Sequence, residues 1–297
     1  MQRPNPNRAQ TLVSVGKSIR PLAEIYGDVK KDIASRTGEI PYKTGLSELD
    51  DLLWGIHKKE VMVIGARTSH GKSAMAIQIA KNLSDCGNSV VYFSLEMSKE
   101  QLMERLVSNM LMINNVDLKR GLAMQKLLDG EKIFQDWLNH ASLYIDDVNG
   151  YDFNRIIDVC KLTNPDFVVV DYVQMVHTKG YVSKLDALED FVKEIKRLSQ
   201  ERNFGAILLS QINRDGIDRP YMHHLKGAGV IEEHPDVVML LHWKWDKDQY
   251  NIYVEKNRHG AVGHVKVKFE PWYSKFSDLD YLPPPIENVG WTKSIGL

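Results

Sequence analysis

The stretch Val61–Ser73, VMVIGARTSHGKS, constrains this chain more than any other. An apolar run, Val61 to Ile64, breaks into a polar, glycine-bearing turn ending in Gly71, Lys72 and Ser73. A helical pattern follows at once in Ala74, Ile77 and Ala80. Strand, glycine loop, Gly-Lys-Ser and helix form the layout of a phosphate-binding loop. Backbone N–H groups along Ala66, Arg67, Thr68, Ser69, His70, Gly71, Lys72, Ser73 and Ala74 are expected to cradle anionic oxygens, aided by the helix dipole. Lys72 would reach the β- and γ-phosphates of a nucleotide, and the Ser73 hydroxyl would hold Mg²⁺. The strict pattern asks for glycine at position 66, where this chain has alanine, and Gly65 is the neighbour expected to take up the backbone demand.

A chain of 297 residues can hold one large α/β domain with appendages or two small domains. No run approaches the roughly 18 apolar residues of a membrane span. The start, MQRPNPNRAQ, lacks the apolar centre of a secretory signal. Cys86 and Cys160 have no metal-ligand spacing and fit reduced thiols in a cytoplasmic protein. A net charge of −1 gives no whole-molecule field toward nucleic acid, so any such surface must be a local patch.

Residues 1–17 read as disordered, with Pro4 and Pro6 among polar neighbours. Ile19, Leu22, Tyr26, Val29 and Ile33 then recur at helical spacing within residues 18–40, with Pro21 in the first turn. That stripe either packs on its own domain or docks on a neighbouring subunit. Residues 41–278 read as the main domain and 279–297 as a tail. A short helix from Ser47, with Ser47 as N-cap and Asp50 at N3, leads into the phosphate loop. Strands are expected at Ser89–Leu95, Leu143–Ile145, Phe167–Val170, Ala206–Leu209, Val237–Leu241, Tyr250–Glu255, His264–Phe269 and Trp272–Phe276. Helices are expected from Ser98, over 114–140, over 152–162 and over Leu188–Arg202. Short apolar strands alternating with helices predict a mostly parallel central sheet covered on both faces, with antiparallel strands at the C-terminal end.

In such sheets ligands bind at the carboxyl ends of the strands. Asp171, after FVVV, is placed to order a Mg²⁺ shell opposite Ser73. Glu96, ending the strand after the phosphate-loop helix, is placed to hold a water in line with the γ-phosphate and act as base; the bland alternative is a helix-start charge. Gln211 ends another strand, where a neutral amide can touch the γ-phosphate and report its loss. Lys256 and Arg258 stand two apart, on one face if the segment is a strand. They are either an exposed charged edge or cations aimed at a phosphate, and if they serve a neighbour's nucleotide the protein must be an oligomer. Arg214, the Lys226-Gly227-Ala228-Gly229 loop, and the Lys179 and Lys184 segment are candidate single-strand nucleic-acid contacts or plain solvated loops.

Taken together, these segments resemble the C-terminal, RecA-like motor domain of the DnaB family of replicative hexameric DNA helicases. The resemblance covers about Tyr42 to Phe276. TGLSELDDLL is similar to the family's entry helix, and GARTSHGKSA to its phosphate loop, where alanine commonly replaces the first glycine. YFSLEMS carries the family's catalytic glutamate at Glu96, VVVDYVQM its metal aspartate at Asp171, and LLSQINR its sensor at Gln211. HLKGAGVIEEHPDVVMLLH is similar to the motif whose loop contacts single-stranded DNA. KNRHGAVGHVKVKFEPWYSKF is similar to the closing motif, whose lysine and arginine act across the subunit interface, here Lys256 and Arg258.

The resemblance implies a P-loop ATPase needing ATP and Mg²⁺, built as a homo-oligomer, a hexameric ring, in a bacterial or phage-infected cytoplasm. It implies 5′ to 3′ travel on single-stranded DNA with duplex unwinding, partners such as a helicase loader or primase, and no membrane. The family's N-terminal helical domain is expected to be missing, and the Ile19–Ile33 helix matches the linker helix that packs on the adjacent subunit. The DNA loop departs from the family at Gly227, where a carboxylate is usual. Two other readings of the same fold are a RecA-like recombinase or mediator, and an ATP-binding regulatory module of a host helicase.

Overall fold

The computed structural model describes residues 20–35, 40, 42–147, 153–176, 183–213, 219–244 and 249–279. The expected disordered start, the tail beyond residue 279, the Lys179 loop and Arg214 lie outside the described residues. Two compact units are present, Met1–Ile40 and Pro41–Leu297. In the first, helix α1 spans Leu22–Ser35, and Leu22, Tyr26, Val29 and Ile33 along it are exposed.

The second unit begins with helix α2, Ser47–Leu53. Ser47 is its first helical residue rather than its cap; Leu46 holds the N-cap position with no side-chain bond. Asp50 instead reaches back, its carboxylate accepting from Thr44 N at 2.6 Å and Gly45 N at 3.1 Å. Strand β1, Val61–Ala66, is buried throughout and feeds α3, Lys72–Asp85. Next come β2 (Val90–Ser94), α4 (Lys99–Leu111), α5 (Asn115–Lys119), α6 (Met124–Leu138), β3 (Leu143–Asp146) and α7 (Phe153–Thr163). They lead to β4 (Phe167–Asp171), α8 (Lys184–Arg202), β5 (Gly205–Gln211), α9 (Ala228–Glu233), β6 (Val237–Lys244), β7 (Gln249–Asn257), β8 (Gly263–Glu270) and β9 (Lys275–Asp278).

Three boundaries differ from the sequence reading for local reasons. The 114–140 helix is two helices, because Gly121 adopts φ 69° between them. Helix α8 starts at Lys184, four residues early, since the Ser183 hydroxyl accepts from Leu185 N and Asp186 N as a cap. Pro271–Tyr273 forms a 3₁₀ turn, and the last strand begins only at Lys275.

The described strands form one nine-stranded sheet in the order β3-β2-β4-β5-β1-β6-β7-β8-β9. β3 through β6 run parallel, and β7, β8 and β9 extend the sheet antiparallel. This is the expected mostly parallel sheet with an antiparallel C-terminal edge. Period-two alternation divides β1 between two cores. Met62, Ile64 and Ala66 face a layer holding Met75, Ile79 and Leu102 of α3 and α4. Val61 and Val63 face one holding Ile157, Phe191, Ile195 and Ile231 of α7, α8 and α9. Both faces are covered, so the strands read as continuous apolar runs. Functional groups are therefore left to the strand ends.

Candidate functional site

The loop between β1 and α3 carries its left-handed residues at Ser69, φ 66°, and Gly71, φ 77°. Position 66 is the last residue of β1 and lies in ordinary strand geometry, so alanine serves there without strain. Gly65 answers a packing demand instead: a Cβ there would meet Leu225 Cδ2 at 2.5 Å and Leu240 Cδ2 at 2.6 Å. A Cβ at Gly71 would strike the Phe269 ring at 2.8 Å, so glycine there serves both conformation and clearance.

Register assembles the rest of the site. Ala66 pairs with Gln211 across β1 and β5, and Ser94 pairs with Asp171 across β2 and β4. Two residues beyond Ser94 the chain presents Glu96, which is exposed. A cavity of about 550 Å³ opens at these ends, lined by the loop from Ala66 to Ala74, His70 excepted, together with Glu96 and Gln211.

Lys72 lines this cavity, and its Nζ lies 3.6 Å from Asp171 Oδ1. Lys72 is 9% exposed and Asp171 1%, and neither of those two atoms has a hydrogen-bond partner among the described residues. The other carboxylate oxygen, Oδ2, accepts from the Tyr92 hydroxyl at 2.8 Å. Burial, then Asp171, pushes the Tyr92 phenol well above its ordinary pKa, so it remains a donor. The Lys72 ammonium also stands 4.1 Å from the Tyr172 ring centroid. Burial lowers the Lys72 pKa, opposed by the charges of Asp171 and Glu96. A buried ammonium and carboxylate paired with each other beside an anion-cradling loop fit a phosphate on one side and a hard cation on the other. Ser73 lines the same cavity.

His70 is placed differently from its neighbours. Its ring is buried away from this cavity, with Nδ1 accepting from Trp243 N at 3.2 Å, and its carbonyl accepts from the Tyr250 hydroxyl. The cavity also gathers residues that sequence reasoning did not single out, notably Arg105 on α4 and Asn115 and Lys119 on α5. Arg105 follows Glu96 by nine residues on a capped helix, and no motif spacing flags it.

Lys226 Nζ donates to Gln211 Oε1 at 2.9 Å, and Lys226 N donates to Gln211 O at 2.9 Å. Gln174 fastens the same place, donating to Ser210 Oγ at 2.8 Å and Lys226 O at 2.9 Å. A second groove, about 380 Å³, is lined by Lys184, Lys226 and Gly227 with apolar residues of α8. Gly227 adopts φ 85° as the N-cap of α9, where a Cβ would meet Leu188 Cδ2 at 2.6 Å; Gly229 faces open space.

Lys256 and Arg258 are absent from the phosphate-loop cavity. Lys256 pairs with Val238, which pairs with Val63, and Arg258 N donates to Asp236 O beside the start of β1. The two cations sit at the end of β1 opposite Lys72. Lys256 Nζ donates to Glu232 O at 2.7 Å and Glu233 O at 3.1 Å, at the C-terminus of α9.

Residues 42–278 match the family model described as DnaB-like helicase C terminal domain. The chain is 29% identical over 299 residues to the replicative DNA helicase DnaC of Bacillus subtilis, covering 94% of this chain and 64% of that one. It is 31% identical over 248 residues to a probable plasmid replicative DNA helicase of Chlamydia trachomatis, covering 80% of this chain and 55% of that one. The chain thus spans between 55% and 64% of the length of these two curated relatives. A solved ATPase domain superposes with a TM-score of 0.80 at 27% identity, covering 89% of this chain and 100% of that one. A DnaB-like replicative helicase, solved in a study of its interactions with primase, gives a TM-score of 0.77 at 26% identity, covering 89% of this chain and 68% of that one.

Proposed function

The chain belongs to the DnaB-like helicase C-terminal-domain family, and from that premise we propose that it is the ATP-driven motor of a ring-forming helicase. It translocates 5′ to 3′ on single-stranded DNA in a bacterial or phage-infected cytoplasm and opens the duplex ahead. The observation that carries the reading is the buried Lys72–Asp171 ion pair, 3.6 Å apart, with Lys72 lining the same cavity as Glu96 and Gln211.

The substrate is ATP, with its triphosphate on the N–H groups of the loop and Lys72 on the β- and γ-phosphates. Ser73 and Asp171 would hold Mg²⁺, which supplies charge neutralisation on the phosphates. Tyr92 holds Oδ2 of the Asp171 carboxylate, leaving Oδ1 toward Lys72. Glu96 holds the attacking water and accepts its proton as the new bond to the γ-phosphorus forms and the bond to the β-phosphate oxygen breaks. ADP and phosphate leave. Gln211 meets the γ-phosphate, and its bond to Lys226 passes the presence or loss of that group to the DNA-facing groove.

Lys256 and Arg258 serve a neighbouring subunit's ATP. Their place toward the start of β1 supports this, because Lys256 is about 10 Å and Arg258 about 16 Å of strand away from the end of β1 that feeds their own phosphate loop. A homo-oligomer follows from that division, its form as a hexameric ring resting on the family resemblance, and the exposed apolar stripe of α1 is the segment that packs on the adjacent copy. Loader or primase contacts belong to the same reading.

The test is a forked-duplex assay with the full chain, ATP and Mg²⁺, run with and without a loader. Strand separation that disappears in Lys72→Ala is expected. ATP hydrolysis with no fork opening under either condition sinks the helicase reading, and open helical filaments in electron micrographs favour a recombinase.

A further inference from the structure

Arg258 is held at both its backbone and its side chain by one residue. Arg258 N donates to Asp236 O at 2.9 Å, and its guanidinium stands 3.3 Å from Asp236 Oδ1. The two oxygens of the Asp236 carboxylate divide their partners. Oδ2 accepts from Val61 N at 2.8 Å, the first residue of β1, and from the Lys196 ammonium of α8. Oδ1 faces Arg258. Asp236 is 1% exposed, so one oxygen is locked to the sheet frame and the other is aimed at the arginine. Arg258 itself is about half-exposed and directly precedes the turn into β8.

We propose that Asp236 is the positioning residue that presents Arg258 to the neighbouring subunit's ATP, by tying the guanidinium to the start of β1. This rests on the reading of Arg258 as a cation acting across the interface. A long arginine on a turn loses rotamer freedom when it engages a phosphate, and a fixed carboxylate behind it reduces that loss. A misplacement near 1 Å at such a group costs about 10²-fold in rate. A bland alternative gives Asp236 only the task of neutralising Lys196 at the base of the sheet. That task needs Oδ2 alone, and leaves unexplained why Oδ1 and the main-chain carbonyl converge on Arg258.

The experiment is a double-mutant cycle on the assembled full chain with single-stranded DNA present. Asp236→Asn keeps the shape and an acceptor for Val61 N, but loses the charge that orients Arg258. We expect kcat for ATP to fall about 10- to 100-fold with KM within about twofold. Asp236→Asn/Arg258→Ala should turn over no more slowly than Arg258→Ala alone, because Asp236 acts only through Arg258. In rings mixed with Lys72→Ala subunits, the Asp236→Asn defect should appear at intact phosphate loops facing the altered chain. Losses that multiply in the double variant overturn the proposal, as does full kcat in Asp236→Asn while Arg258→Ala is impaired. Full turnover in Arg258→Ala removes the trans-arginine reading itself, a distinct outcome. If Asp236→Asn does not fold, Asp236→Glu, which keeps the charge and displaces it, carries the same cycle.

Discussion

The Nζ of Lys226 lies 2.9 Å from the Oε1 of Gln211, so a hydrogen bond joins a residue lining the phosphate-loop cavity to one lining the second groove. A cation spent on DNA phosphate must give up or share that bond. Lys226→Ala should therefore lower the slope of log affinity against log salt for single-stranded DNA by about 0.7. It should also blunt the stimulation of ATP hydrolysis by DNA, since Gln211 loses its partner. Fluorescence anisotropy across a salt titration reads the first effect and phosphate release the second. An unchanged slope takes Lys226 off the DNA path.

Glu96 and Lys72 separate by role in kinetics. Lys72→Ala removes the buried ammonium and should abolish turnover and weaken nucleotide binding together. Glu96→Gln keeps the side-chain shape but cannot accept a proton, so binding should persist while hydrolysis falls by about 10²- to 10⁴-fold. Fluorescent-nucleotide binding beside single-turnover hydrolysis separates the two. Equal hydrolysis in Glu96→Gln and the parent would turn the reading toward a regulatory module that binds ATP without using it.

Most of the candidate site was legible because its polar residues sit directly after apolar strands. FVVV before Asp171 and GAILLS before Gln211 announce the strand, and the next polar side chain is at the carboxyl end by construction. The two-sided sheet was legible for the same reason, since strands buried on both faces carry no alternation. What was hidden depends on register and on distant partners. Nothing in KNRHG says that Arg258 lies beside Asp236, because that contact needs β6 and β7 paired with the irregularity at Val238/Met239. Arg105 was hidden because its approach to the cavity depends on how α4 packs. His70 reads as a loop residue in sequence, yet its ring is buried against β6 and its carbonyl meets Tyr250 of β7, 173 and 180 residues away.

Arg258→Ala should leave nucleotide binding in place and lower hydrolysis by about 10³-fold or more, as for arginines that act across an interface. The register that puts Arg258 at the opposite end of β1 from Lys72 predicts where the loss falls. In rings of Arg258→Ala and Lys72→Ala subunits, activity should return only at sites pairing an intact loop with an intact arginine. Mixtures showing no such recovery would mean that the arginine serves its own chain.

His70 gives the loop a pH dependence whose sign is fixed by burial. Burial first, then the charges of Arg67 and His242, pushes its pKa down to about 4 from an ordinary value of 6.5. Its Nδ1 accepts from Trp243 N, which requires a neutral ring. Between pH 6.5 and 4 the unfolded chain thus binds a proton that the fold refuses. The contribution to stability is fully present above pH 6.5 and is lost as pH falls toward 4. With allowance for solvent screening near the surface, it amounts to roughly 2 kcal/mol across the window. His70→Gln keeps an amide oxygen for Trp243 N but does not titrate. Denaturant unfolding of both chains from about pH 7.5 to 4.5 isolates the effect, since carboxylates titrating in both cancel in the difference. The parent should lose about 2 kcal/mol more than the variant over that range. Curves that fall in parallel would show that His70 takes up its proton inside the folded loop.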